Sequence, residues 1–175
     1  MSEKEAVLDR IRALDVPHEE WFHEAAHTME DCLRLPFAAP EVTICKNMLL
    51  CNRQQTAYYF YITLWNKRFR TADVSRLLGV SRLSFAPEEA LTTLLRTESG
   101  SLAPFGLWYD TEKRIRFVVD EAVLQTERIA FHPCDNTATV VFSQRDFWDR
   151  IVPTLGHPPV FLKVPSAEAA GSIQE

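Results

Sequence analysis

The chain has 175 residues, enough for one domain with its own hydrophobic core and short for two. Apolar residues make up 46% and charged residues 25%, with eleven Phe and four Trp, which excludes a disordered or fibrous protein. The net charge of −5 speaks against general nucleic-acid binding, but the charge is uneven: residues 42–82 hold seven bases (Lys46, Arg53, Lys67, Arg68, Arg70, Arg76, Arg82) and one acid, Asp73.

Residues 2–14 read as a helix, with Ser2 and Glu5 as a capping box, Ala6, Val7, Ile11 and Leu14 at helical spacing, and Pro17 beyond its end. A short strand is expected over 18–23 and a short helix over 28–35, capped by Thr28. Segments 42–51 and 56–65 are rich in β-branched and aromatic residues and flank a polar stretch, as a hairpin does. The pattern predicts a helix over 71–78 stopped by Gly79, a strand over 82–85, and a helix opened by Pro87 and running to about residue 96. After a loop over 97–105, strands are expected at 106–109 and 114–120, a short helix at 121–126, and strands at 128–133 and 137–142. Ser143 caps a last helix to Leu155 that Pro153 ends or kinks, and 159–164 reads as an edge strand.

Interspersed helices and strands with a clear hairpin favour a mixed α/β (α+β) single domain, with a mixed, largely antiparallel central sheet surrounded by helices. The domain is expected to span 1–164, with 165–175 as a mobile C-terminal tail. No apolar stretch approaches the roughly 20 residues of a bilayer helix. The start is acidic and polar, so a cytoplasmic location is expected. Cys32, Cys45, Cys51 and Cys134 form no C-x-x-C pair and fit no zinc spacing; reduced, packed thiols and no metal are expected.

Three stretches can carry chemistry. Lys46 interrupts an otherwise apolar strand face formed by Val42, Ile44, Met48 and Leu50, with Asn47 beside it on the opposite face. Two readings are open: the lysine reaches an edge or a buried carboxylate, or its ammonium opens into a cleft. The run Gly100, Ser101, Leu102, Ala103, Pro104, Phe105, Gly106 is either a simple turn or a loop that aims N–H groups at a carbonyl oxygen. His132, locked before Pro133, leads into Cys134, Asp135, Asn136, Thr137, Ala138 and Thr139, and is either structural or moves a proton.

In order and spacing, these three stretches resemble the prolyl-tRNA editing proteins. These are free-standing, YbaK-like relatives of the editing domain inserted in many bacterial prolyl-tRNA synthetases. The segments 75–79 and 81–86 are also similar to that family, and the likeness covers roughly residues 5–160. The run Asn136 to Val140 is closer to the alanine-clearing branch than to the cysteine-clearing one, while Cys45, Met48 and Cys134 depart from common family residues. The resemblance implies a curved central sheet and a cleft that takes the aminoacyl end of tRNA. It assigns activity first to Lys46, and substrate holding to Asn47, the 100–106 loop including Gly100 and Pro104, Asn136 and His132.

On that reading the substrate is an ester attacked by water. Lys46 anchors the terminal phosphate or polarises the ester, and His132 and Asn47 position the aminoacyl group or the water. A terminal ribose hydroxyl assists the proton transfer, and Ile44 and Phe105 wall a pocket small enough to reject proline. Lys67, Arg68, Arg70, Arg76 and Arg82 would hold the acceptor stem. No cofactor is implied; the implied partners are mischarged tRNA(Pro) and, with it, prolyl-tRNA synthetase. Three alternatives stay open. They are clearance of another amino acid (Cys, Ser or a non-protein analogue), a non-catalytic tRNA or amino-acid binder, and an unrelated hydrolase using His132, Asp135 and a serine.

Overall fold

The computed structural model describes residues 2–165, so the expected tail beyond Pro165 lies outside the described residues. The chain starts as its caps dictate. The Ser2 side chain accepts from the Glu5 amide, Glu5 reaches back to the Ser2 amide, and helix α1 (Glu3–Ala13) buries Val7, Leu8 and Ile11. After β1 (Glu19–Phe22), Thr28 and Asp31 make a second capping box on the short α2 (Met29–Leu33). The expected hairpin is present as β2 (Val42–Cys51) against β3 (Tyr58–Leu64). Helix α3 (Thr71–Leu78) ends on Gly79 at φ +69°, a left-handed position that suits glycine. Strand β4 (Ser84–Phe85) and helix α4 (Glu88–Leu95) follow, with Pro87 as the N-cap of α4 rather than inside its first turn.

Residues 106–109, expected as a strand, belong instead to a 3₁₀ helix, Pro104–Tyr109. Pro104 opens it, and a Cβ on Gly106 would stand 3.1 Å from Leu95, so the turn is pressed against α4. Strand β5 (Ile115–Asp120) leads into a 3₁₀ turn, Glu121–Leu124, then β6 (Arg128–Phe131) and β7 (Ala138–Ser143). The last helix is broken: α5 (Gln144–Asp146), a π-helical turn (Phe147–Ile151), then α6 (Val152–Leu155) and β8 (Val160–Leu162). Pro153 lacks an amide to continue the ordinary ladder, and the Val152 amide already reaches back five residues to the Phe147 carbonyl.

Among the described residues one eight-stranded mixed sheet runs β1-β7-β6-β2-β3-β5-β8, with β4 on β2. The pairs β1/β7, β7/β6, β2/β3 and β2/β4 are antiparallel, and β6/β2, β3/β5 and β5/β8 parallel. The main core lies on the Cys45, Leu49 and Cys51 face of β2, under α1, α4 and the last helix. The opposite face carries two smaller cores. Val42 and Ile44 pack with Cys32 and Phe37; Met48 and Leu50 pack with Tyr61, Val74 and Leu83. By the period-two alternation of strand side chains, Lys46 falls between these two clusters.

Candidate active site

Strand β2 creates the site because its outer edge is covered at both ends and open in the middle. Strand β6 pairs with it only at Val42–Ile44; β4 pairs at Leu50 and Cys51, and the Leu49 carbonyl accepts from the Ala86 amide. Strand β6 ends at Phe131, just before His132 and Pro133, and proline offers no amide to prolong a ladder. The uncovered residues are 45–48. A cleft of about 230 Å³ opens there, lined by residues of β2, the α2 region, the Gly100 loop and the β6–β7 connection.

The cleft brings together six of the residues expected from the sequence: Ile44, Lys46, Asn47, Gly100, Leu102 and His132. It adds residues that sequence reading passed over: Ala26, His27, Thr28, Met29, Cys32 and Phe37 from the N-terminal third, with Cys45, Met48, Ala130, Phe131 and Thr139. Most of its wall is therefore apolar, with a few converging polar groups, as a small-ligand site requires.

Lys46 combines features of both readings its strand face raised. It is half-buried, its ammonium donates to the Lys67 backbone carbonyl, and it lines the cleft. Burial lowers its pKa from the ordinary lysine value. Asn47 is the next residue, and its buried Oδ1 has no hydrogen-bond partner among the described residues. An orphaned acceptor beside a cleft is a place for a ligand N–H to bind.

His132 is oriented from both sides. Its Nδ1 lies 2.9 Å from the Ala138 carbonyl, which can only accept, so Nδ1 carries the proton of the neutral ring. Its Nε2 is then a lone pair, 3.6 Å from the Cys32 thiol. Burial lowers the His132 pKa and nearby His23 lowers it further, against the opposing pull of the Ala138 carbonyl and Asp135. A neutral imidazole is the form that can accept a proton.

The Gly100 loop divides in two. Gly100, at φ +89°, and Leu102 line the cleft, and the single Thr97 hydroxyl proton is shared between the Ser101 carbonyl (3.2 Å) and the Cys134 carbonyl (3.4 Å) near His132. Ser101, Ala103, Pro104, Phe105 and Gly106 do not line the cleft. The expectation of Phe105 as a pocket wall is corrected: its ring is fully buried in the main core, against Phe131, Phe142, Phe147 and Trp108. Asn136 also stays outside; its carbonyl accepts from the Ala26 amide at 3.0 Å. Cys134 is buried in the main core, where burial pushes its thiol pKa up to about 12.

The basic stretch divides as well. Arg68, Arg76 and Arg82 are exposed, with Arg76 3.6 Å from Asp73, and Arg70 is half-buried at the N-cap of α3. Lys67 does not present its charge to solvent: its ammonium lies 2.8 Å from Asp120 and 2.7 Å from the Val164 carbonyl. Among the described residues no group of three or more His, Cys, Asp or Glu is placed to hold a metal ion. No helix there is long and apolar enough to cross a membrane.

Fold and cleft together define a small α+β domain with a lysine and a neutral histidine at a broken sheet edge. Residues 23–149 match the aminoacyl-tRNA editing domain. The prolyl-tRNA editing protein ProX of Acetoanaerobium sticklandii is 27% identical over 157 residues, covering 90% of this chain and 94% of its own. The mouse prolyl-tRNA synthetase associated domain-containing protein 1 is 30% identical over 171 residues, covering 92% and 96%. A solved structure of a candidate trans-editing enzyme for prolyl tRNA synthetase superposes with a TM-score of 0.71 at 15% identity, over 94% of this chain and 99% of its own. The chain belongs to the aminoacyl-tRNA editing-domain family, among the YbaK-like prolyl-tRNA editing proteins. That membership supports an aminoacyl-tRNA deacylase activity of the trans-editing kind.

Proposed function

We propose that this protein removes alanine from mischarged proline tRNA by hydrolysis of the aminoacyl ester. The observation that carries the reading is the juxtaposition of Lys46 and the Nε2 side of His132 in one small, mostly apolar cleft.

The chemistry asks little of the protein, because an ester needs no covalent nucleophile. Water adds to the ester carbonyl, the C–O bond to the ribose breaks, and the ribose oxygen leaves with a proton. Lys46 keeps two ammonium protons beyond the one given to Lys67; these hold the terminal phosphate or the ester oxygen as negative charge develops. His132 accepts at Nε2 from the water or from a ribose hydroxyl once the Cys32 thiol yields that position. The free Oδ1 of Asn47 suits the substrate's α-ammonium, and the Gly100 backbone closes the other side. Ile44, Met48, Leu102 and Ala130 leave room for a methyl side chain. Size exclusion of the bulkier proline is the task a synthetase pocket cannot perform in reverse, since one methylene is worth only about 1–3 kcal/mol.

Arg68, Arg76 and Arg82 are the exposed cations proposed to meet the acceptor stem, and prolyl-tRNA synthetase would be the source of the mischarged substrate. Lys67 leaves that set. The unrelated-hydrolase alternative loses its geometry: Ser101 lies outside the cleft, and Asp135 is engaged by the Thr137 amide at 2.8 Å. The test is deacylation of Ala-tRNA(Pro), Pro-tRNA(Pro) and Cys-tRNA(Pro) by wild type and Lys46→Ala. Loss of alanine alone, abolished by the substitution, is expected. Preferred clearance of cysteine would move the assignment to another amino acid, and no hydrolysis of any ester would leave a binder.

A further inference from the structure

We infer that Thr139 and His23 are positioning residues for His132, joined to it by a hydrogen-bond chain whose direction is fixed at both ends; the inference rests on the deacylase reading above. Thr139 is a buried polar residue on β7, 2% exposed, and His23 follows β1 directly, with its amide on the Thr137 carbonyl at 2.9 Å. The two histidine rings lie 6.0 Å apart with the threonine hydroxyl between them.

The direction follows from partners that can only accept. His23 Nδ1 lies 2.8 Å from the Glu24 carbonyl, so in the neutral ring Nδ1 carries the proton and Nε2 is a lone pair. The Thr139 hydroxyl, 2.8 Å from that Nε2, must therefore donate to it. A hydroxyl has one proton, so toward His132 Thr139 shows only oxygen. His132 Nδ1–H is shared between that oxygen at 3.3 Å and the Ala138 carbonyl at 2.9 Å. Each link then has one donor and one acceptor.

The arrangement aims Nε2 of His132 into the cleft as an acceptor. When Nε2 takes up a proton, the charge that spreads to Nδ1 meets a hydroxyl oxygen already polarised by its bond to His23. No carboxylate has to enter the cleft for this. The other titratable groups around the chain are Cys32 on α2, Asp135 on the connecting loop, and Lys4 on α1, which reaches Thr137 at 2.9 Å.

The test uses the full chain with Thr139→Val, Thr139→Ser and His23→Phe, reading kcat and KM for Ala-tRNA(Pro) and following the His132 ring nitrogens by NMR against pH. Thr139→Val and His23→Phe are each expected to lower kcat roughly tenfold or more, as loss of a hydrogen bond to a group that becomes charged does. KM should stay within about twofold, because the contact strengthens only as the reaction proceeds. His132 should titrate at lower pH in Thr139→Val, and Thr139→Ser should restore rate and titration. Wild-type kcat together with a wild-type His132 titration in Thr139→Val would overturn the inference. Should the wild type hydrolyse no ester, the deacylase reading falls, and the ring nitrogens alone decide the chain. A downward titration shift in Thr139→Val keeps it, and an unchanged one discards it.

Discussion

The ammonium of Lys46 donates to the backbone carbonyl of Lys67, while the Lys67 ammonium turns away to Asp120, 2.8 Å distant. One lysine is thus held by the main chain of another, whose side chain is locked in turn. Asp120 is 1% exposed and also accepts from the Thr63 hydroxyl at 2.7 Å and the Ala122 amide at 3.0 Å. The segment after β3 that carries the Lys67 carbonyl is therefore fixed from beneath.

Removing one partner of that buried pair should cost more than removing both. Lys67→Met leaves the Asp120 carboxylate uncompensated, and a loss of about 3–5 kcal/mol is expected. The double variant Lys67→Met/Asp120→Asn should recover a large part of it. Urea midpoints of the three proteins measure this, and a double variant as unstable as the single would refute the pairing.

Lys46→Ala should leave the urea midpoint nearly unchanged and lower kcat for Ala-tRNA(Pro) by a factor of roughly 10² or more. The wild type should lose activity on the alkaline side. The Lys46 pKa is depressed by burial, so its charge disappears at lower pH than an ordinary lysine's. A pH–rate profile with its upper limb below the usual lysine range is the expected result.

His132 gives the acid-side prediction. Its folded pKa is lowered, so as pH falls below the ordinary histidine value the unfolded chain takes up the proton first. Stability attributable to this residue is intact above that value and declines through the window beneath it. His132→Gln should flatten the change in Tm between neutral and mildly acid buffer, and an unaltered slope would contradict the assignment.

Ile44 and Phe105 separate wall from core. Ile44→Ala enlarges the cleft and should raise Pro-tRNA(Pro) hydrolysis relative to Ala-tRNA(Pro). Phe105→Ala empties part of the main core and should cost about 3–5 kcal/mol while leaving that ratio alone. Initial rates on both esters beside urea unfolding distinguish the two effects.

The fold was legible where local chemistry is strong. The Ser2 capping box, the Thr28 cap, the Gly79 stop, and the full length of β2 all stand as their residues imply. Residues 106–109 misled because Phe105, Leu107 and Trp108 suit a strand equally well; contact with α4 decides their turn, and that contact is not local. At the site, Lys46 announced itself by breaking an apolar face, and Lys46, the Gly100 loop and His132 resemble the family's motif set in order. The α2 wall did not, because Cys32 and Phe37 read as ordinary core residues and line the cleft only once folding packs them with Ile44 of β2 and Ala130 of β6. Lys67 was misassigned for a related reason: a charge count cannot see Asp120, fifty-three positions further along the chain.

The gap in the sheet has a consequence for what can enter it. Residues 45–48 span roughly 13 Å of strand at about 3.3 Å per residue. Ala130 closes one end of that window and Phe85 the other. An exposed sheet edge ordinarily invites another polypeptide to pair with it. Here an incoming strand would collide with a neighbour within two turns of its pleat in either direction, whereas the proposed substrate, a single acyl group carried on a flexible nucleotide end, would enter side-on. The same break that opens the cleft beside the lysine thus shields the protein from strand exchange and aggregation along this edge.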